Sequence, residues 1–178
     1  MEKSLRLSEQ RLANIINNLP GFVYVCRNDH DWTMEYVSQK CQNITGYAPE
    51  DFICNRKRSF NEIIHPDYQE LLWAAWQYLL AKKLPFEKEY PIITAQGELR
   101  WVWERGHGVF ADDGRLLFLE GFIMDITERK NMEMLLHQEK KFIDAVLDSI
   151  PGMLYVYDEQ GHIVRWNKKH QEMTRLHS

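Results

Sequence analysis

Two stretches of this chain, "IINNLPGFVYV" (residues 15–25) and "VLDSIPGMLYV" (residues 146–156), align with Pro, Gly, Tyr and Val in register, Pro151 standing 131 residues after Pro20. Self-similarity at a long fixed offset marks a folding unit that occurs twice. Further along, "MEYVSQKCQNIT" matches "IVRWNKKHQEMT" at an offset of 129, with Thr45 on Thr174, so the turn in the second copy is two residues shorter. Each copy reads as helix, Pro-Gly break, strand, turn, strand and the start of a helix. The second copy reaches position 178 with two strands only, and an isolated hairpin is marginal in water. The expectation is that residues 151–178 open a second domain which the parent protein completes.

The helices before the two breaks repeat as well. Leu5, Leu12 and Leu19 recur every seven residues with Ile15 between, and Leu136, Ile143 and Ile150 recur every seven with Val146 between. A seven-residue apolar spacing is the seam of a coiled coil, although Ser8 and Glu139 interrupt it. The alternative is an amphipathic helix packed on its own domain. The seam reading predicts a homodimer joined through one or both helices.

Between the copies, "APEDFI" (residues 48–53) has Pro at a helix's first turn followed by two acids, which suits the positive end of the helix dipole. "HPDYQELLWAAWQYLL" repeats the device with Pro66 and Asp67, opening a longer helix with an apolar stripe at Leu72, Trp73, Trp76 and Leu79/Leu80. Three strands follow, "FEKEYPIIT", "ELRWVWERGHGVF" and "LLFLEGFIMDI", separated by the turn signals "AQGE" and "ADDGR". The order predicts an α+β domain: one antiparallel sheet with the middle helices covering one face.

That order, with "NLPGFVYV", "NITGYAPEDF", "IIHPDY", "GELRWVWERG", "DDGR" and "GFIMDITERK" in sequence, resembles a PAS domain ending in its PAC motif, over about residues 10–130. Residues 142–178 resemble the opening of a second PAS domain, as in multi-PAS signalling proteins of bacteria and archaea. The resemblance implies a five-stranded antiparallel sheet with helices on one face, and a domain plan of an N-terminal amphipathic helix (1–19), a PAS/PAC sensory domain (20–127), a helical linker (128–150) and the second PAS start (151–178). It further implies that Asp125, Ile126 and Thr127 couple the last strand to the exit helix. Physical reasoning agrees, since Asp125 or Thr127 can cap the first free amides of a helix beginning near Glu128; an ordinary cap without a signalling role is the alternative. The output expected downstream is a histidine kinase of a two-component system or a diguanylate cyclase. The expected function is a cytoplasmic sensory module that binds a small molecule and transmits the change through this junction and the helical linker; a ligand-free PAS domain acting as a dimerisation spacer is the competing expectation.

The strand "ELRWVWERGHG" alternates Trp101, Trp103 and Arg105 with Val102, Glu104 and Gly106. By resemblance the Val102 face looks into a ligand pocket between sheet and helices. The two tryptophans then lie on the outer face, to be covered by the N-terminal helix or a partner subunit; the mirror assignment places them in the core. On the first assignment Glu104 points at a cavity, where an unpaired carboxylate is costly, and it needs a basic neighbour, water or a polar ligand. The other pocket candidates are Val23, Val25, Trp76, Ile92 and Ile123.

No cofactor is predicted. The flavin-binding light-oxygen-voltage subgroup carries a Gly-x-Asn-Cys-Arg-Phe-Leu-Gln run, and "FICNRKRSFNEII" does not place Cys54 in it. Haem would need an axial His from the long helix, and none occurs between Tyr68 and Lys82; His65 and His107 read as hydrogen-bonded structural residues. His65, His107, Cys26, Cys41 and Cys54 show no metal-ligand spacing. No phosphate loop, nucleophile elbow or zinc signature points to an enzyme, and neither His137 nor His170 sits in a kinase phospho-acceptor setting. A net charge of −4 supplies no basic field for nucleic acid. Leu71–Ala81 is too short to span a bilayer, the N-terminus lacks a secretory core, and three unpatterned cysteines suit a reducing cytoplasm. Anchoring of the parent through another segment stays open.

Overall fold

The computed structural model describes residues 2–169, apart from the side chains of residues 2–5 and of Glu9. The Leu5 side chain, His170 and the Thr174 end of the repeat lie outside what is described. The chain divides into two compact units between Glu128 and Arg129.

The first unit begins with helix α1 (Glu2–Asn18), which stops where Pro20 cannot continue it. Strands β1 (Gly21–Cys26) and β2 (Met34–Val37) form a hairpin. Two short helices, α2 (Cys41–Thr45) and α3 (Pro49–Phe52), a 3₁₀ turn at Asn61–Ile63 and helix α4 (Pro66–Ala81) follow. Strands β3 (Phe86–Ile93), β4 (Leu99–Phe110) and β5 (Leu116–Asp125) complete one antiparallel sheet in the order β2-β1-β5-β4-β3. The β4–β5 turn closes on Gly114, whose φ of +84° is the left-handed conformation that glycine adopts without steric cost.

Helix α4 starts as its sequence dictates, with Pro66 in the first turn and His65 Nδ1 accepting from the Asp67 amide at 3.4 Å. Its buried stripe is Leu72, Trp76 and Leu80, four residues apart and therefore on one face. Trp76 stacks on Phe86 of β3 with ring centroids 4.7 Å apart. Each buried leucine in this stripe contributes about 2 kcal/mol. The stripe packs α4 against the sheet, sharing one core with Phe22, Tyr24, Tyr90, Ile92, Val102 and Ile123.

One expected facing is corrected here. Phe22, Tyr24 and Cys26 are the buried side chains of β1, and Val23 and Val25 are half-buried on the opposite face. All five side chains can pack, so apolar character alone does not choose between the faces, and a one-residue change of facing exchanges the two sets. The larger aromatics fill the space under α4, and the valines are left outside.

Helix α5 (Thr127–Ser149) starts at the end of the first unit and runs into the second, where β6 (Tyr155–Tyr157) and β7 (Ile163–Trp166) form an antiparallel hairpin. The repeat extends to hydrogen bonds. In the first copy the Val23 amide donates to Ser38 Oγ at 3.1 Å and the Ser38 amide to the Val23 carbonyl at 3.0 Å. In the second, the Leu154 amide donates to Asn167 Oδ1 and the Asn167 amide to the Leu154 carbonyl, both at 3.0 Å. The longer Asn167 side chain does more than Ser38: its amide also donates to the carbonyls of Leu147 (3.3 Å) and Gly152 (2.8 Å), tying the hairpin to the end of α5. An Arg165–Asp144 ion pair and a 2.8 Å bond from the Lys168 amide to Asp148 add to that clasp.

The helical seams find no cover within these elements. Leu12 and Ile15 on α1 are 57% and 60% exposed, and no described residue of α5 is buried, Leu136, Ile143 and Val146 being exposed. Leu19 and Ile150, at the ends, are half-buried. Ile16, one position off the seam, turns toward the outer face of the sheet.

Candidate functional site: a buried carboxylate and the exit junction

The alternation along β4 sends Val102, Glu104 and Gly106 toward the helices, and Trp101, Trp103 and Arg105 outward. Glu104 is only 6% exposed. The expected basic neighbour is replaced by two phenols. Tyr24 of β1 donates its hydroxyl to Glu104 Oε1, and Tyr90 of β3 donates to Oε2 at 2.7 Å. Tyr24 reaches Glu104 across the intervening strand β5 because its cross-strand partner is Gly121; a Cβ there would sit 2.6 Å from the Tyr24 hydroxyl oxygen and 2.8 Å from the Arg105 carbonyl oxygen. The neighbouring Gly106 likewise makes room for the Phe86 ring.

Burial pushes the Glu104 carboxyl up to about 7, and the two phenol hydrogen bonds hold it below where burial alone would put it. Burial raises Tyr24 and Tyr90 well above the ordinary phenol value, with the Glu104 charge adding to it. Cys26 is raised by burial and then by Glu104. Beside this triad lies an internal cavity of about 10 Å³, bounded by Trp32, Met34, Phe60, Leu72 and Trp76. That is the space of roughly one water molecule.

Trp76, Ile92, Val102, Glu104 and Ile123 all lie on the helix-covered side of the sheet and are buried. Trp76 and Glu104 border the cavity; Ile92, Val102 and Ile123 are packed core around it. Val23 and Val25 do not join them. They line an open groove of about 560 Å³ on the outer face with Ile16, Tyr36, Arg105 and Phe122. Tyr24 and Tyr90 were not singled out for this site by sequence reasoning. The available signal was the period of two in β1, which puts Tyr24 opposite in facing to whichever side the valines take.

At the other end of β4 and β5 stands the junction. Val102 pairs with Asp125, and Glu104 pairs with Ile123, so the buried carboxylate is two residues, roughly 7 Å along the strand, from the residue facing the junction. Asp125 Oδ1 accepts from the Thr127 amide at 2.8 Å, satisfying one of the free donors of α5. The Ile126 amide donates to the Trp101 carbonyl at 2.8 Å, and Thr127 Oγ1 accepts from the Trp101 amide at 2.9 Å. Of the two sequence candidates for the cap, Asp125 performs it, while Thr127 turns back to the sheet. Ile126 is buried, and Arg100 Nη1 lies 3.7 Å from Asp125 Oδ2. A helix start bound to an inner strand on two successive residues has no free hinge.

The remaining candidates sit elsewhere. Cys54 is exposed and does not line the cavity, His65 caps α4, and His107 lies on the surface 3.1 Å from Glu120. Among the described residues no group of three His, Cys, Asp or Glu side chains could hold a metal ion, and no helix is long and apolar enough to cross a membrane.

A five-stranded antiparallel sheet, covered on one face by short helices and leaving through a capped junction into a long helix, is the architecture of a sensory domain. A PAS fold matches residues 34–123 and a PAS domain matches residues 141–178. The chain belongs to the PAS family, with a second PAS match in its C-terminal part. It is 30% identical, over 86% of its length, to the methyl sulfide methyltransferase-associated sensor of Methanosarcina acetivorans, of which it spans 16%. It is 28% identical, over 57% of its length, to a blue-light-activated histidine kinase of Brucella ovis, spanning 21% of that protein. The chain thus corresponds to a fraction of the length of these curated relatives. Among solved structures, a sensory box histidine kinase/response regulator from Burkholderia thailandensis superposes with a TM-score of 0.60 at 25% identity, covering 75% of this chain and 97% of that one. The N-terminal domain of a diguanylate cyclase with PAS/PAC sensor from Marinobacter aquaeolei gives 0.54 at 18% identity over 62% and 98%, a likeness of fold.

Proposed function

We propose that this chain is a signalling module in which a rearrangement in the first PAS core passes through Asp125, Ile126 and Thr127 into α5, and so to the second PAS segment and an output domain of the parent protein. The observation that carries the reading is the junction, where two successive residues at the start of α5 are hydrogen-bonded to Trp101 on β4, the strand that also bears Glu104. A displacement of β4 then moves the helix start with it. The kinase and cyclase relatives support a histidine kinase or diguanylate cyclase as the output. The exposed seams of α1 and α5, with the outer-face groove, support a homodimer. Three free cysteines support a reducing, cytoplasmic setting.

The test perturbs the core and reads the helix. Hydrogen exchange over residues 127–135 is compared for the wild-type chain and Trp76→Leu, each with and without Asp125→Ala and Thr127→Val. The expected result is a change on Trp76→Leu that disappears when the junction is altered. Exchange in α5 that ignores the core substitution sinks the reading.

A second reading, a ligand-free module that spaces and dimerises its neighbours, is favoured by the one-water size of the inner cavity. A metabolite held there would have to displace packed aromatic side chains. Native mass spectrometry tests this reading: a defined small-molecule passenger overturns the ligand-free module, and a bare dimer is the result expected of it.

A further inference from the structure

We propose that Glu104, held between Tyr24 and Tyr90, is a proton-binding input site, and that gain or loss of one proton on its carboxyl is a signal delivered to the Asp125–Thr127 junction. The inference rests on the transmission reading above and names the input for it. A closed core leaves no room for a metabolite, but a proton needs none.

The surroundings make Glu104 a site rather than a buried accident. From β1 it faces Tyr24 and Cys26, and from β3 it faces Tyr90. Helix α4 presents Leu72 and Trp76, β2 presents Met34 and the preceding loop Trp32, and β5 presents Leu119 and Ile123, none of them ionisable. No Lys, Arg or His borders the cavity or shifts the carboxyl, so its negative charge is balanced by hydrogen bonds alone. Gly121 keeps open the path by which Tyr24 reaches it.

The two protonation states require different hydrogen bonding. As a carboxylate, Glu104 accepts from both phenols, and all three groups are satisfied. When a proton arrives from solvent, one new O–H bond forms, and that oxygen becomes a donor facing a group that was donating to it. One phenol must then rotate, accept from Glu104 and send its own hydrogen elsewhere. The adjacent cavity, large enough for a single water, is the place where that hydrogen finds an acceptor. Tyr24 and Tyr90 stand on strands either side of the β5–β4 pair, so the rearrangement bears on β4 and β5 together. The next inward residue along β4, Val102, pairs with Asp125. Burial brings the Glu104 carboxyl close to neutrality, where modest changes of pH alter its occupancy.

The experiment follows the glutamate side-chain carboxyl carbons by NMR from pH 5 to 9 in the wild-type chain, with Glu104→Gln to assign the signal. The amides of Ile126, Thr127 and Glu128 are read in the same samples. The result expected is a Glu104 midpoint near neutrality, junction amides that follow the same midpoint, and flat junction amides in Glu104→Gln. Tyr24→Phe and Tyr90→Phe each remove a bond that favours the charged form, so each is expected to move the midpoint upward by about one pH unit. A midpoint below 5, or junction amides that titrate identically in Glu104→Gln, overturns the inference. Junction amides silent to pH but responsive to Trp76→Leu overturn it while leaving the transmission reading standing; silence to both overturns both.

Discussion

Replacing Glu104 with glutamine should change how the stability of the first unit depends on pH. In the unfolded chain the carboxyl has its ordinary value of 4.5, and in the fold burial raises it to about 7. Between these values the folded chain holds more of the proton than the unfolded chain, so stability from this source is complete below pH 4.5 and is lost as pH rises through 7. At 1.36 kcal/mol per pH unit, that interval amounts to a loss of about 3 kcal/mol. Glutamine keeps the volume and, like the protonated carboxyl, offers one acceptor and one donor group but carries no titrating proton, so its profile lacks this component, and every other titrating group is common to both proteins. The assay is urea unfolding at steps from pH 4.5 to 8, followed by tryptophan fluorescence, because five of the six tryptophans lie in the first unit. Relative to Glu104→Gln, the wild-type chain should lose about 3 kcal/mol across that range. Parallel profiles would refute the reasoning, since they would mean that the carboxyl titrates alike in the folded and unfolded chains.

Gly121→Ala should destabilise the first unit by about 1–3 kcal/mol, because the added methyl meets both the Tyr24 hydroxyl and the Arg105 carbonyl, and thermal unfolding reads it. Asp125→Ala removes the cap of α5 and should cost about 1 kcal/mol, with faster amide exchange confined to the first turn of that helix. On the homodimer proposed above, the wild-type chain should sediment as a dimer and Leu12→Glu combined with Ile143→Glu as a monomer in analytical ultracentrifugation; equal sedimentation of the two would remove the helices from the interface.

The α+β order, the three C-terminal strands and the two Pro-led helices were legible because local signals agree there: turn residues, first-turn prolines and apolar spacing all point to the same elements. In β4 the alternation of tryptophans with Val102 and Glu104 placed the carboxylate on the inner face, as found. The same rule gave no answer in β1, where "GFVYVC" offers two apolar faces, and a strand packed on both sides has no polar partner to break the tie. The partners of Glu104 were beyond local reading. Tyr24 lies 80 residues away in sequence and is separated from Glu104 by another strand, so their meeting is set by strand order and by the gap at Gly121. The cavity's size was equally hidden, since it is a small difference between large packed volumes.

The clasp around Asn167 gives α5 a second fixed end. In this helix of 23 residues the first turn is bound at Trp101 and Asp125, and the last is tied to the β6–β7 hairpin through the Leu147 carbonyl. On the transmission proposed above, the quantity that α5 would carry is its rotational phase. Each residue inserted or deleted turns the far end by about 100°, whereas seven at once return it to within roughly 20°. On the proposed transmission, changes of seven residues in α5 should therefore preserve the phase of the helix, whereas single-residue changes should not.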